Sequence, residues 1–267
     1  MASELQVNTI TEATSGSGIT FAKDVIPATP LSHRNMIING AMQVYQRNAS
    51  SSTSGGYVAD RFKSEFSGPG VTTSRQTLSS GSPYDEGFRH FLRKSNTSVS
   101  SATSVYVSFH QEIEAQNIAN SGWNYKSASS YITLSFWARS SLAGTYYTQL
   151  RTVDGSEYIY YKAFTLSANT WTKVTCTIPG NSNLQFDNDN GLGLRFLIVA
   201  HYGTNYTGGG EASSETWYSR SGQTDAFLAT NFAQNWANTS GATFDLTGVQ
   251  LERGSVATPF EHRSYAE

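Results

Sequence analysis

Phe244-Asp245-Leu246-Thr247-Gly248-Val249-Gln250-Leu251-Glu252-Arg253-Gly254-Ser255-Val256-Ala257-Thr258-Pro259-Phe260-Glu261 is the stretch on which the fold turns. It reads as a strand whose apolar phase slips by one at Gly248. Phe244 and Leu246 point to one side, and Val249 and Leu251 rejoin that side only if an extra residue is absorbed between the pairs. A glycine at such a point marks a β-bulge. Gly254 then permits a turn, and Pro259, which has no N–H to donate, ends the pairing.

The alternation continues upstream. Val105, Val107, Phe109, Gln111 and Ile113 share one face of a strand, as do Ile132, Leu134, Phe136 and Ala138, with Trp137 and Arg139 opposite. Asp154-Gly155 signals a hairpin between residues 146–153 and 157–166. Val174, Cys176 and Ile178 form the next inward set, followed by Leu192, Leu194, Phe196, Ile198 and Ala200. No helix of three turns is predicted, and residues 111–118 read as a strand running on into a loop. Many strands joined by Gly, Ser and Asn turns imply an all-β protein, a two-sheet antiparallel sandwich. No period of 20–50 residues recurs, against a β-helix or propeller.

The chain has 267 residues, enough to bury a core without staples. Only 14% of them are charged, so polarity comes from Ser, Thr, Asn, Gln and 23 glycines, as on hydrogen-bonding, weakly charged β surfaces. A net charge of −2 with no basic stripe argues against nucleic-acid binding. Cys176 is the single cysteine, which excludes an internal disulfide and a cysteine zinc cluster. The polar start Met1-Ala2-Ser3-Glu4 has no apolar stretch behind it, so neither secretory export nor membrane insertion is expected. Residues 1–33 stand apart. Leu5, Val7 and Ile10, then Ile19 and Phe21, are two apolar patches too small for a core. They read as an extended N-terminal arm before a domain over 34–267.

Five motifs lie in order along the domain: Asn35-Met36-Ile37-Ile38-Asn39-Gly40-Ala41-Met42-Gln43-Val44-Tyr45-Gln46-Arg47, Gly56-Tyr57-Val58-Ala59-Asp60-Arg61-Phe62, Gln111-Glu112-Ile113-Glu114, Thr133-Leu134-Ser135-Phe136-Trp137-Ala138-Arg139-Ser140-Ser141, and the closing stretch above. Together they resemble the β-sandwich domains of bacteriophage tail-fibre and related virion proteins. The resemblance runs from about residue 35 to the end. It implies a jelly roll, attachment to tail or capsid proteins through residues 1–33, a homotrimer, assembly in the host cytoplasm into a virion, and contact with host-surface glycan.

Sugars present apolar C–H faces ringed by hydroxyls, so aromatic platforms beside Asn, Asp and Gln recognise them. Tyr202, Tyr206, Trp217 and Tyr218 lie in or beside a glycine-rich stretch containing Gly208-Gly209-Gly210, and are expected on exposed loops. Tyr146, Tyr147, Tyr158, Tyr160 and Tyr161 flank the Asp154-Gly155 hairpin, with Tyr158 and Tyr160 as candidate glycan contacts. Cross-strand packing or a subunit interface explains the hairpin tyrosines equally well. Trp137 and Trp171 read as core or interface.

Asp187-Asn188-Asp189-Asn190-Gly191 opens like a calcium loop, but position twelve is Ile198, so an EF-hand is excluded. Asp187 and Asp189 remain the weak metal candidates against an Asx-rich turn, and no cofactor is expected. Enzyme signatures are missing: no Gly-x-Ser-x-Gly, no His-Glu-x-x-His, no phosphate loop. Glu112 and Glu114 have roughly the separation of a glycosidase pair, ~6–7 Å along a strand. Such pairs, however, come from different strands flanking a cleft. Asp60-Arg61 is predicted to be a partly buried ion pair. The sequence thus points to a tail fibre or similar appendage and to no enzyme. The alternatives are a capsid-associated fibre or decoration protein and, from another class, a glycan-degrading enzyme.

Overall fold

A computed structural model describes residues 33–208, 215–220, 232 and 234–263. Residues 1–32 of the expected arm lie outside the described residues, as do Gly209 and Gly210 of the glycine run. The protein is an all-β jelly-roll sandwich of two antiparallel sheets. The first sheet runs, edge to edge, β1 (Ser50–Ser51), β4 (Gly70–Thr77), β5 (His90–Ser98), β13 (Thr243–Arg253), β7 (Tyr131–Ser140) and β10 (Thr172–Pro179). The second runs β12 (Tyr218–Ser219), β9 (Tyr158–Leu166), β8 (Gly144–Thr152), β11 (Leu192–Tyr202), β6 (Tyr106–Glu114), β3 (Lys63–Ser67) and β2 (Gly56–Tyr57). Among the described residues there are two one-turn α-helices, α1 (Ser82–Asp85) and α2 (Ala115–Ala119), and 3-10 turns at Thr204–Tyr206 and Trp236–Asn238. Helix α2 begins where β6 ends, at the place read as a loop.

Period-two alternation places the core. Leu194, Phe196, Ile198 and Ala200 from β11 meet Ile132, Leu134, Phe136 and Ala138 from β7, Val174, Cys176 and Ile178 from β10, and Phe244, Leu246, Val249 and Leu251 from β13. Of the inward set expected on β11, only Leu192 at the strand start stays half-buried. Each of the Val, Leu, Ile and Phe side chains among them contributes about 1.5–3 kcal/mol on burial.

The bulge lies where the apolar phase slips. Thr247 sits opposite Trp137 and Gln250 opposite Ser135, so Gly248 and Val249 together face the single residue Phe136. Gly248 has φ 63°, and a Cβ there would come 2.7 Å from Cζ of Phe88. With the extra residue absorbed, Phe244, Leu246, Val249 and Leu251 all reach the same core.

The bulge also divides the other edge of β13. Its first half pairs with β5, from Thr243 opposite Ser95 to Leu246 opposite Leu92. Its second half is closed by the opening motif. Met36 N–H donates to Leu251 O (2.8 Å), and Val249 N–H donates to Gly40 O (3.0 Å). The Asn35 carboxamide donates to Val249 O and accepts from Leu251 N–H, both at 3.0 Å. Gln111 grips both backbone groups of Ile38 at 2.8 Å. A sheet edge that would otherwise leave buried backbone groups unpaired is sealed by residues 35–40. Gly40 is required by proximity, since a Cβ there would lie 2.0 Å from Val249 O.

Two local expectations are corrected. Asp60 and Arg61 form no ion pair: the Asp60 carboxylate accepts the Gln46 N–H at 3.2 Å, and Arg61 is exposed at φ 72°. An adjacent pair in a turn points its side chains apart. Pairing also ends before Pro259, at Arg253, where Gly254 N–H donates to Tyr131 O (2.9 Å). The tail then folds back, with Thr258 held by Glu252 and Glu261 N–H bonded to Gln250.

Candidate functional site

The second sheet has an unusual outer face. Such a face is commonly polar, with the apolar residues turned to the core. Here Tyr147, Ile159, Tyr161, Leu197, Val199, Tyr202 and Tyr218 form a second buried cluster on the side away from the core, with half-buried Tyr106, Tyr206 and Phe232 packed against it. The rings meet edge to face or tilted: Tyr106 with Tyr206 at 5.7 Å, Tyr202 with Tyr206 at 5.5 Å, Tyr147 with Phe232 at 5.0 Å and Tyr161 with Tyr218 at 6.3 Å. Polar groups adjoin them. Arg151 donates to the Tyr202 hydroxyl (2.8 Å) and to Gln149 (3.2 Å). Farther along, Glu112 binds Lys63 (2.6 Å) and Arg195 (2.9 Å). Burial pushes the Tyr202 and Tyr218 hydroxyls up, so both stay protonated donors at neutral pH.

At one end of this face, three loops knit together. The Asn96 carboxamide reaches the carbonyls of Trp236, Ala237 and Thr239, each at 3.0 Å, and pins the turn before β13. Ser100 N–H donates to Ala237 O (3.0 Å), Gly203 N–H to Val105 O (2.7 Å) and Asn205 N–H to Thr103 O (3.0 Å). Between them lies a cavity of about 170 Å³ lined by residues 100–103, by His201, Tyr202, Gly203 and Thr204, and by Phe232, Gln234, Asn235 and Asn238. Burial lowers His201 to about 4, so its imidazole is neutral.

The sequence candidates separate. Tyr202, Tyr206 and Tyr218 come together on the outer face; Tyr206 lies half-buried in the one-turn segment Thr204–Tyr206 of the connection after β11, whereas Tyr202 ends β11, Tyr218 begins β12, and both are buried rather than on exposed loops. Trp217 alternates to the other side and belongs to the main core, its Nε1–H donating to Pro179 O at 2.7 Å. Tyr160 is core as well, 5.4 Å from the Trp217 ring, and Tyr158 packs half-buried beside it. Tyr146 is fully buried, its hydroxyl shared with Ser140 (2.7 Å). With Tyr147 it lies opposite Phe164 and Ala163, at the strand end away from the Asp154-Gly155 hairpin. Trp137 and Trp171 pack in a third cluster, on the first sheet.

Asp187 and Asp189 are engaged in turn chemistry. Asp187 Oδ1 accepts from Gln185 (3.0 Å), and Asp189 Oδ1 accepts the Gly191 N–H (2.9 Å), an Asx turn. No group of three metal-ligating side chains gathers among the described residues. Glu112 is unlike a general acid. Burial would raise its carboxyl, but the hydrogen bonds from Lys63 and Arg195 hold it below the ordinary range. Glu114 instead accepts a bond from Gln116 (2.8 Å).

No protein-family profile matches the sequence. No curated protein matches it. Among solved structures it is similar to the enzymatically active domain of bacteriophage CBA120 tailspike protein 4, at TM-score 0.45 and 13% identity over 82% of this chain. The chain spans 21% of that protein. It is similar also to a cyclase from Fischerella sp. TAU (TM-score 0.44, 8% identity, 83% of this chain and 97% of that one). A third is the family 11 carbohydrate-binding module from Clostridium thermocellum, in complex with a β-1,3-1,4-mixed-linked tetrasaccharide (TM-score 0.35, 11% identity, 78% and 97%). Likenesses at this level carry no argument about function, which rests on the chain's own residues.

Sequence reasoning passed over Tyr106, Gln149, Arg151, Phe232 and Gln234. The alternation Tyr147, Gln149, Arg151 was there to be read, since strict period two sends all three to one face.

Proposed function

We propose that the chain is a bacteriophage virion appendage, a tail fibre or similar structure, that binds host-surface glycan through the outer face of its second sheet without cutting it. The observation that carries this is the tyrosine field on that face, whose half-buried members Tyr106, Tyr206 and Phe232 are the rings a sugar can reach, backed by buried tyrosines and by Arg151 and Gln149. Rings with protonated hydroxyls, set among amide and guanidinium donors, suit sugar rings, which need apolar stacking and directed hydrogen bonds at once. The five ordered motifs support the virion reading. Residues 1–33 attach the protein to its particle, assembled in the host cytoplasm, and a homotrimer multiplies weak single-site affinity by avidity. The paired state of Glu112 favours a binder over an enzyme.

The test is an array of bacterial capsular and O-antigen polysaccharides probed with the full chain, with reducing ends assayed in parallel. Retention on at least one polysaccharide without new reducing ends is expected. Folded protein retained on none would sink the glycan reading, and released reducing ends would identify a glycan-degrading enzyme. Gold-labelled antibody on virions should mark the tail; label on the head would mean a capsid decoration protein.

A further inference from the structure

The loop-end cavity contains an unresolved chemical demand. Gln234 is 7% exposed, lines the cavity, and has hydrogen-bond partners for neither Oε1 nor Nε2. A buried carboxamide left so costs about 1–3 kcal/mol per group, and native proteins seldom retain one without a reason. His201 Nδ1 is likewise buried without a partner. Asn235 and Asn238 are exposed beside them, bonded to each other at 2.8 Å. The Phe232 ring lies 5.5 Å from His201 and 6.3 Å from Tyr202, so one wall is aromatic and continuous with the tyrosine field. Among the described residues, no Asp, Glu, Lys or Arg lines the cavity. Its volume of about 170 Å³ equals about six waters at liquid density, the size of a single sugar ring rather than a chain.

We propose that this cavity is a terminal-residue subsite that takes one uncharged sugar unit, with Gln234 bonding adjacent hydroxyls and Phe232 stacking on the ring's C–H face. The proposal rests on the glycan reading above and deepens it: one end unit enters the cavity while the rest of the glycan crosses the tyrosine face. A carboxamide offers one acceptor and one donor side by side, which matches a vicinal diol, where each hydroxyl both donates and accepts. Rotation about χ3 of Gln234, a broad two-fold torsion, turns either atom to the cavity. With no cation among the described lining residues, a uronic or sialic acid would bury its carboxylate unpaired, so the site favours neutral sugars.

The experiment titrates the full chain with methyl α-D-glucopyranoside, methyl β-D-galactopyranoside, N-acetylglucosamine and glucuronic acid, following amide NMR shifts. At least one neutral sugar is expected to bind near millimolar and move the Gln234 side-chain amide, with glucuronic acid at least ten-fold weaker. Gln234→Leu should weaken that sugar at least ten-fold while raising the melting temperature, since a buried unpaired group is removed. Asn238→Ala, at an exposed position, should weaken it several-fold with the fold intact. Equal sugar binding by wild type and both variants would overturn the subsite, as would preference for glucuronic acid. If wild type binds a polysaccharide on the array and Gln234→Leu binds it equally well, the subsite fails and the glycan reading stands. If wild type binds no sugar and no polysaccharide, both fail.

Discussion

Lys94 shows at the scale of one residue how much the sandwich tolerates. It is wholly buried between the sheets, Nζ 2.5 Å from Ser64 Oγ and 4.6 Å from the Phe109 ring centre. Burial lowers its amine to about 7, with Glu65 pulling weakly the other way. The unfolded amine titrates near 10.5, so folding is penalised fully below pH 7 and the penalty fades as pH rises to 10.5. Its ceiling is about 5 kcal/mol. Lys94→Met should therefore raise stability at pH 7 by about 2–4 kcal/mol, because Ser64 keeps its 2.6 Å bond to Thr73. Urea titration at pH 7 and pH 10 checks this, with the gain shrinking at the higher pH; a destabilised variant would show that the amine's bond and ring contacts outweigh its burial. Nothing in the sequence marked Lys94. Its inward phase with Leu92 and Asn96 becomes visible only once β5 is registered against β13.

At the scale of elements, legibility followed alternation. The slipped phase at Gly248 was readable because the flanking apolar pairs are unambiguous, and the bulge lies there. Gly248→Ala should cost about 3 kcal/mol or more, since φ 63° and the 2.7 Å approach to Phe88 act together. A shift in the urea midpoint measures it; a loss under about 1 kcal/mol would mean that the bulge relaxes freely. The tyrosines were legible as a group but not by side. Trp217, just before β12, and Tyr218, its first residue, are neighbours that point to opposite faces, one to the core and one to the tyrosine field. Trp217→Ala should accordingly lose about 3–5 kcal/mol of stability, whereas half-buried Tyr206 should lose less. Equal melting temperatures for Trp217→Ala and wild type would contradict its place in the core. The closure of β13 by Asn35 was not legible, because it joins residues more than two hundred positions apart.

For the whole molecule, the buried titratable groups together set a pH profile. His110 is lowered to about 3 and His201 to about 4, chiefly by burial, against 6.5 unfolded. Both stay neutral in the fold while the unfolded chain takes up protons, so stability falls as pH drops from 6.5 toward 3. Lys94 adds stability from pH 7 upward. Burial raises Cys176 and Tyr146 each to about 12, from 9.0 and 10.0, so above those values the unfolded chain ionises first and stability falls again. The melting temperature should therefore peak near pH 9, about two units above neutrality. A scan from pH 4 to 11 checks it, and a peak at or below pH 7 would contradict the buried state of Lys94.

Equilibrium binding of the array-selected polysaccharide to wild type and to the Tyr106→Ala/Tyr206→Ala double variant tests whether glycan is held by the tyrosine face. Both side chains are half-buried and pack against the buried cluster rather than within it, so the melting temperature should drop by no more than about 4–8 °C. At least ten-fold weaker binding by the folded double variant is expected. Binding equal to wild type would contradict glycan binding by the tyrosine face and place the receptor contact elsewhere on the molecule.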